Sequence, residues 1–526
     1  MKIKSILLST LFFLGLILPQ QSFAQIRRSS TTAAFAKGIS YKLPFSGDNL
    51  KPGERVYTGN HTAGIQALGE DFGVRRYLGN NKWSGLKSGG SKSKNGDYLI
   101  YGKRIYAMAA GKIVGCWCNA PNNPKPPAKH PKLASKEMPG GGNMLWVEHS
   151  DGTRALYAHM IPGSMPANLC ANKSTYYPKP IGPGESSSKY VTLPVSKQVN
   201  IKKGQFLGKV GNSGNSTGPH LHAHLEKNGA AAPMRFENGL YKVAPNGQTN
   251  LENWSSLKGK TIPNGQVYLW PARKVGKEYA RHGVPAKDFP RLFKHLADSG
   301  YAPEWIDGYS VGNKVFYNFI WRKSTGSWLA YFGLSGASYQ QKINAAKAKG
   351  LYPTQVESYK YGNSVRYAII FKKVPGAWKA YHGQSAAQHQ NTFNSLKSSG
   401  YAIENASVVS INGTRTYTTL YRKKNVGAWV LKSQLTTAQY QAAVTANKAK
   451  GRKPVYVATY MHNGAAHFSA IFAQKPGGSW MAKHNKTSGA YQTDYSSALK
   501  AGYLTRVISG YDGAQANHRF TAVWRK

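Results

Sequence analysis

The sequence predicts two architectures in one chain: a mostly β, antiparallel N-terminal half over 45–245, and an α+β array of ~50-residue units over 276–526. Short runs with β-type alternation, broken by turn residues, fill the first half. In the second half a glycine closes a helix-like segment at Gly300, Gly350, Gly400, Gly451 and Gly502, at spacings of 50, 50, 51 and 51.

In chain order, Lys2 and Lys4 precede an apolar run from Ile6 to Leu18, and Ser22-Phe23-Ala24 has the small-residue pattern of a cleavage site. Residues 1–24 are therefore expected to be a secretory signal peptide and the protein to be secreted, whether extracellular, periplasmic or on the outer surface. The polar stretch 25–44 reads as a linker. RIYAMAAGKIVG, FLGKVG and HLHAHLE then read as strands, and NMLWVEHSDGTRALYAHM as a hairpin turning at Ser150-Asp151-Gly152. The Ser/Gly/Lys-rich 85–96 and the proline-rich NAPNNPKPPAKHPK are predicted surface loops. Residues 246–275 read as a second linker.

Each repeat reads as strands such as RYAIIFKK, a strand opened by G-[SA]-W at Trp328, Trp378, Trp429 or Trp480, and an amphipathic helix carrying Tyr339, His389, Tyr440 or Tyr491. The helix is expected to stop at its glycine, which takes the left-handed C-cap at little cost. In this frame the array holds about four full units and two half units, 276–300 and 503–526. Together the halves make one unit's length, so they are expected to pair and close the array. An open solenoid with capped ends is the alternative.

Lys and Arg number 70 against 21 Asp and Glu, a formal charge of +49. The excess is shared, since 276–526 holds 34 basic and 9 acidic residues. Such a balance calls for an anionic partner or surface. For an exported monomer the expected partners are cell-wall peptidoglycan or anionic envelope polymers, with nucleic acid ranked below them. Cys116, Cys118 and Cys170 allow one disulfide, and either Cys116 or Cys118 could reach Cys170.

The chemistry gathers in GNSGNSTGPHLHAHLE, Gly211 to Glu226. A phosphate loop would need Lys and Ser/Thr after its last glycine, followed by a helix. Here Pro219 and alternating histidines follow. On a strand, His220, His222 and His224 share one face while Leu221, Ala223 and Leu225 pack behind.

GNSGNSTGPHLH resembles the signature of the lysostaphin and LytM type of zinc endopeptidases. Tyr157-Ala158-His159 is similar to the family's Y-A-H element, and GKRIYAMAAGKIV to its G-x-x-V-Y-A-x-x-x-G-x-V strand. The resemblance implies a small antiparallel sheet with a groove, cell-wall peptides or glycine-rich bridges as substrates, and one catalytic Zn2+ held by His, Asp and His. It assigns His222 as a ligand and His159 and His220 as the catalytic pair. The family's H-x-x-x-D spacing fails here, because Ser93 stands four residues before Asp97. The better match is HTAGIQALGEDFGVRR, giving His61 and Asp71 as the other ligands, with Asp97 as the rival carboxylate. His224 stands where a glutamate or similar polar residue is expected and is read either as an outer partner of the site or as structural. The asparagines and serines of the glycine-rich turn are expected to line the groove entrance.

The array resembles the bacterial tandem repeat domain, found beside hydrolases such as β-lactamase-like serine enzymes, and implies substrate or surface binding. The serine-hydrolase motif S-x-x-K occurs at Ser255-Ser256-Leu257-Lys258 without its partner motifs, so the repeats are not read as catalytic. A catalytically inactive, wall-binding peptidase-like module is the alternative to an active enzyme.

Overall fold

The computed structural model describes residues 26–28, 38–61, 63–170, 191–474, 478–513 and 517–526. The predicted signal peptide lies outside them. Among the described residues no helix is long and apolar enough to cross a membrane.

One antiparallel sheet organises the N-terminal half. Its path runs Leu240–Val243, Val267–Trp270, Glu54–Asn60, Glu70–Gly79, Leu221–Lys227, Arg154–Met160, Asn143–Glu148, Gly111–Trp117. The histidine strand Leu221–Lys227 is central, flanked by Glu70–Gly79 and Arg154–Met160. Its alternation explains its place: Leu221, Ala223 and Leu225 are buried in the core with Phe72 and Tyr157, leaving His222 and His224 on the other face. The predicted hairpin forms, Asn143–Glu148 pairing with Arg154–Met160.

Both expected linkers contain domain structure. Tyr41 and Leu43, assigned to the 25–44 linker, are core residues. The 246–275 segment contributes Val267–Trp270, which pairs with Glu54–Asn60, and a buried Trp254. Its Gly and Pro content masked a short apolar strand, VYLW. Cys116 is disulfide-bonded to Cys170, with Cα atoms 5.7 Å apart. Cys118 lies outside this bond because the strand that carries Cys116 ends at Trp117.

The second half closes into a ring of five units. Each sheet joins the strand before a helix to the two strands after it, as in Trp378–Gln384, Thr414–Lys423 and Tyr401–Ile411. This frame corrects the expected four full and two half units. The strand Tyr279–Pro285 pairs within its own unit with Lys314–Lys323, and the last two strands pair with Trp480–Lys486. The ends nevertheless meet. Trp305 Nε1 donates to Ile508 O at 2.7 Å, Gly510 N donates to Asp307 Oδ2 at 2.9 Å, and Thr505 N donates to Glu278 Oε2 at 2.9 Å. Similar side-chain to backbone bonds join successive units, as where Gln355 Nε2 donates to Ile306 O at 2.9 Å and Thr459 N to Ser509 Oγ at 2.9 Å.

The repeated features are packing features. Tyr339, His389, Tyr440 and Tyr491 are all buried. The glycines after the helices take positive φ, from 65° at Gly350 to 100° at Gly300, as the left-handed cap requires. The first repeat helix, Phe289–Ser299, docks on the N-terminal half: His295 stacks on Trp270 at 4.0 Å, and Gly239 N donates to Asp298 Oδ2 at 2.6 Å. Ser256 of the S-x-x-K match also bonds Asp298, at 3.3 Å, a structural role.

Candidate metal centre and active site

The sheet register builds the site. Asp71 and His222 are directly opposite in the antiparallel pair of Glu70–Gly79 and Leu221–Lys227, so their side chains emerge on one face. Asp71 Oδ1 lies 2.9 Å from His222 Nδ1 and 3.0 Å from His61 Nε2. His61 follows the strand Glu54–Asn60, and its N–H donates to Gly69 O at 2.9 Å, so the intervening loop folds back on itself. The loop thereby returns the chain to Asp71 despite the long His61-to-Asp71 spacing. One ligand atom each from His61, Asp71 and His222 fall within 4.8 Å of one another. Asp97 is elsewhere, its Oδ2 accepting from Ser91 N at 2.8 Å to cap its own loop.

His159 and His220 stand beside this cluster. Their ring centroids are 4.6 Å apart, and His220 Nε2 is 3.5 Å from Asp71 Oδ1. Along a regular strand His159 would project opposite to Ala158, away from the face of His222. Its φ of 66° breaks the pleat and turns its ring toward His220 and His222 instead. Its backbone is pinned on both sides, His159 N donating to Gly141 O and Gly211 N to His159 O, each at 2.9 Å.

The glycine-rich turn is a packing device. A Cβ on Gly214 would lie 2.4 Å from Gly142 N, and one on Gly211 would lie 2.5 Å from Ile161 N. Asn212, Ser213 and Ser216 are buried and do not line a groove entrance as the sequence suggested. They tie loops together instead: Asn143 N donates to Ser213 Oγ at 2.9 Å, and Asn212 Nδ2 to Asn95 Oδ1 at 2.8 Å. They are drawn in because the turn lies against the 140–142 loop.

Residues 186–233, which hold the turn and the histidine strand, match the family described as Peptidase family M23. The match is to a peptidase family and covers the segment that carries His220, His222 and His224. The repeats at 276–324, 325–374, 375–424, 426–475 and 477–526 each match a family described as Polyglycine hydrolase-like, structural repeat. Among solved structures, the catalytic domain of lysostaphin from Staphylococcus simulans is 20% identical, with 35% of this chain and 84% of that chain covered and a TM-score of 0.17. The M23 metalloprotease pseudoalterin from the deep sea is 17% identical, covering 45% of this chain and 99% of that chain, with a TM-score of 0.22. The catalytic domain of the prophage-encoded M23 protein EnpA from Enterococcus faecalis is 18% identical, covering 38% and 95%, with a TM-score of 0.17.

The electrostatics of the site separate its groups. Burial raises the Asp71 carboxyl, but the hydrogen bond to His222 and the neighbouring His220 more than offset this and hold it well below the usual range. Burial, reinforced by the nearby His220, lowers His159 to about 3. Burial also lowers His220, against the pull of Asp71. Both rings are thus neutral near pH 7. Each fixes Nδ1 on a backbone carbonyl, His159 on Ser213 O and His220 on Gly218 O, both at 2.8 Å. Nδ1–H is therefore the donor, and Nε2 holds the lone pair that can accept a proton.

Sequence reasoning placed His61, Asp71, His159, His220 and His222, and the structure brings all five together. It left His224 open between an outer partner of the site and a structural residue, and the structure favours the first. His224 Nδ1 lies 2.8 Å from His222 Nε2, and its ring packs edge-on against Trp146 at 5.4 Å. The signal was available: His222 and His224 share a strand face. Beyond Pro219 a groove of about 500 Å3 opens, with Tyr57, Arg75, Trp83 and Tyr98 in its walls.

Proposed function

We propose that this protein is a secreted, zinc-dependent endopeptidase that hydrolyses peptide bonds of bacterial cell-wall peptidoglycan, in its cross-bridges or stem peptides. In this reading the basic ring holds the enzyme to substrate or to anionic envelope polymers. The observation that carries it is Asp71 between His61 and His222 on the same face as the His159–His220 pair.

The donor set fits Zn2+. Two imidazole nitrogens and one carboxylate oxygen are a catalytic-type set, which leaves a fourth position for water. His61 Nε2 supports the assignment, since it is buried and faces Asp71 Oδ1 at 3.0 Å without the geometry of a hydrogen bond. His222 would present Nδ1, with its Nε2–H donating to His224 Nδ1 as an outer partner that fixes the tautomer. When bound, Zn2+ would lower the pKa of a water toward ~7 and polarise the scissile carbonyl.

The remaining chemistry belongs to the chain. His159 and His220, neutral and with Nε2 as acceptor, would take the attacking water's proton and return it to the leaving amine. The protonated ring would then stabilise the negative charge that develops on the carbonyl oxygen. The groove of Tyr57, Trp83 and Tyr98 would seat the peptide on the Pro219 side of the histidines.

The test is zinc content together with lysis of purified bacterial walls by the full chain, His222→Ala and His159→Ala. The proposal expects lysis by the wild type and its loss in both variants. Walls bound but left intact by the zinc-loaded wild type would turn the reading to an inactive, wall-binding module. Lysis unchanged in both variants would refute it.

A further inference from the structure

The inner strands of the five units meet around the ring axis and leave a cavity of about 290 Å3 at one mouth. All five units supply its wall, through Trp305, Gln355, Asn405, Tyr456 and Arg506. The wall is rigid. Trp305 Nε1 is held by Ile508 O, the Gln355 amide pairs with the backbone of Ile306, and Asn405 Oδ1 accepts from Val356 N at 3.4 Å. With these polar groups already used, the wall left to a ligand is mixed, Ile320, Val455 and Ile471 standing beside Thr354, Thr505 and the charged residues of the mouth.

Charge is unevenly settled at this mouth. Lys372 pairs with Glu304, and Arg422 and Lys424 pair with Glu404. Arg322 pairs with Glu278 at 2.9 Å. Arg506 and Arg525, both in the cavity wall, form no ion pair among the described residues, and the Nε of each is buried without a hydrogen bond. Burial, then the neighbouring Arg506 and Arg322, lower Arg525 to about 10. Arg322, Arg506 and Arg525 therefore repel one another at this mouth, against the attraction of Glu278, which is paired with Arg322, and of Glu304, which is paired with Lys372. Partly desolvated charges of one sign need a counter-ion.

We propose that this mouth binds a short peptide by its free C-terminal carboxylate, the carboxylate lying between Arg506 and Arg525 and small apolar side chains packing on Trp305 and Tyr456. Planar guanidinium forks match a carboxylate in two-point geometry. A phosphate would bring a second negative charge into a wall that also holds Glu304 and Glu404. A sugar acid would bring hydroxyls for which the committed amides leave no partners. The volume is at the small end for ligand pockets and suits one or two small residues. This site is separate from the peptidase chemistry and does not depend on it.

Calorimetric titration of the full chain carrying His222→Ala, which spares the peptide from hydrolysis, tests it. The probes are N-acetyl-Ala-Ala, its C-terminal amide, glucuronate and inorganic phosphate. The proposal expects the free carboxylate to bind, the amide to bind at least ~10-fold more weakly, and Arg506→Gln or Arg525→Gln to weaken the acid ~10-fold or more. Should Arg525→Gln unfold, the more superficial Arg506→Gln and the acid-against-amide comparison still decide. No binding of the acid, equal binding of the amide, tighter binding of phosphate or glucuronate, or unchanged affinity in a folded Arg506→Gln chain would each overturn it.

Discussion

Asp71 and His222 are cross-strand partners in the central sheet, and that register alone brings Oδ1 of the one to 2.9 Å from Nδ1 of the other. A slip of one residue would send Asp71 to the core face. The site therefore depends on the strand pairing as much as on the identity of its residues, and its consequences can be measured.

His159 is assigned proton transfer and no metal contact. His159→Gln is expected to lower the rate of wall hydrolysis by about 100-fold or more while zinc content is unchanged. Loss of zinc in that variant would instead make His159 part of the metal site.

His224 is assigned the orientation of His222 through the 2.8 Å contact between their rings. His224→Ala should weaken zinc binding by about 10 to 100-fold, read by competition with a chelator, with the fold retained by circular dichroism. Unchanged competition would leave His224 a packing residue only.

Gly69 allows the His61 loop to pass over the histidine strand. A Cβ there would lie 2.9 Å from His224 Cβ and 3.0 Å from Gln66 O. Gly69→Val should reduce zinc affinity and lower the melting temperature, whereas Gly64→Ala, where nothing lies within 4 Å of the added Cβ but φ is +63°, should cost stability alone. Zinc affinity equal in the two variants would show that the close approach is unimportant.

The ring contributes a pH dependence. Burial raises Asp307 from 3.8 to about 7, and Glu357 is raised well above its ordinary range by burial and by Asp307. The folded chain therefore keeps protons that the unfolded chain releases, so this stability is complete below about pH 4 and is lost as pH rises toward 7. Asp307→Asn should flatten the decline in melting temperature between about pH 4 and 8. A decline as steep as in the wild type would contradict the assignment.

Much of this was legible because strand alternation and glycine capping are local. The HLH motif gave its own face pattern, and the glycine period gave the helix ends. The long His61-to-Asp71 spacing was readable only through the neighbouring DFGV strand, since loop 61–69 is closed by a backbone contact that leaves no motif. The turn of His159 into the site depends on a left-handed backbone at a histidine, which His adopts more readily than most residues but too rarely for the sequence to announce it. Ring closure was expected from the lengths of the two ends. The unit frame was misread because the tryptophan strand pairs across its helix with strands that follow it, a non-local choice that periodicity leaves open.

The central claim is that Asp71, with His61 and His222, holds one zinc ion. Zinc bound per chain should be measured for the purified full-length protein, Asp71→Asn and Asp97→Asn. About one equivalent in the wild type and in Asp97→Asn, with loss in Asp71→Asn, is the predicted result. Zinc retained by Asp71→Asn and lost from Asp97→Asn would contradict it.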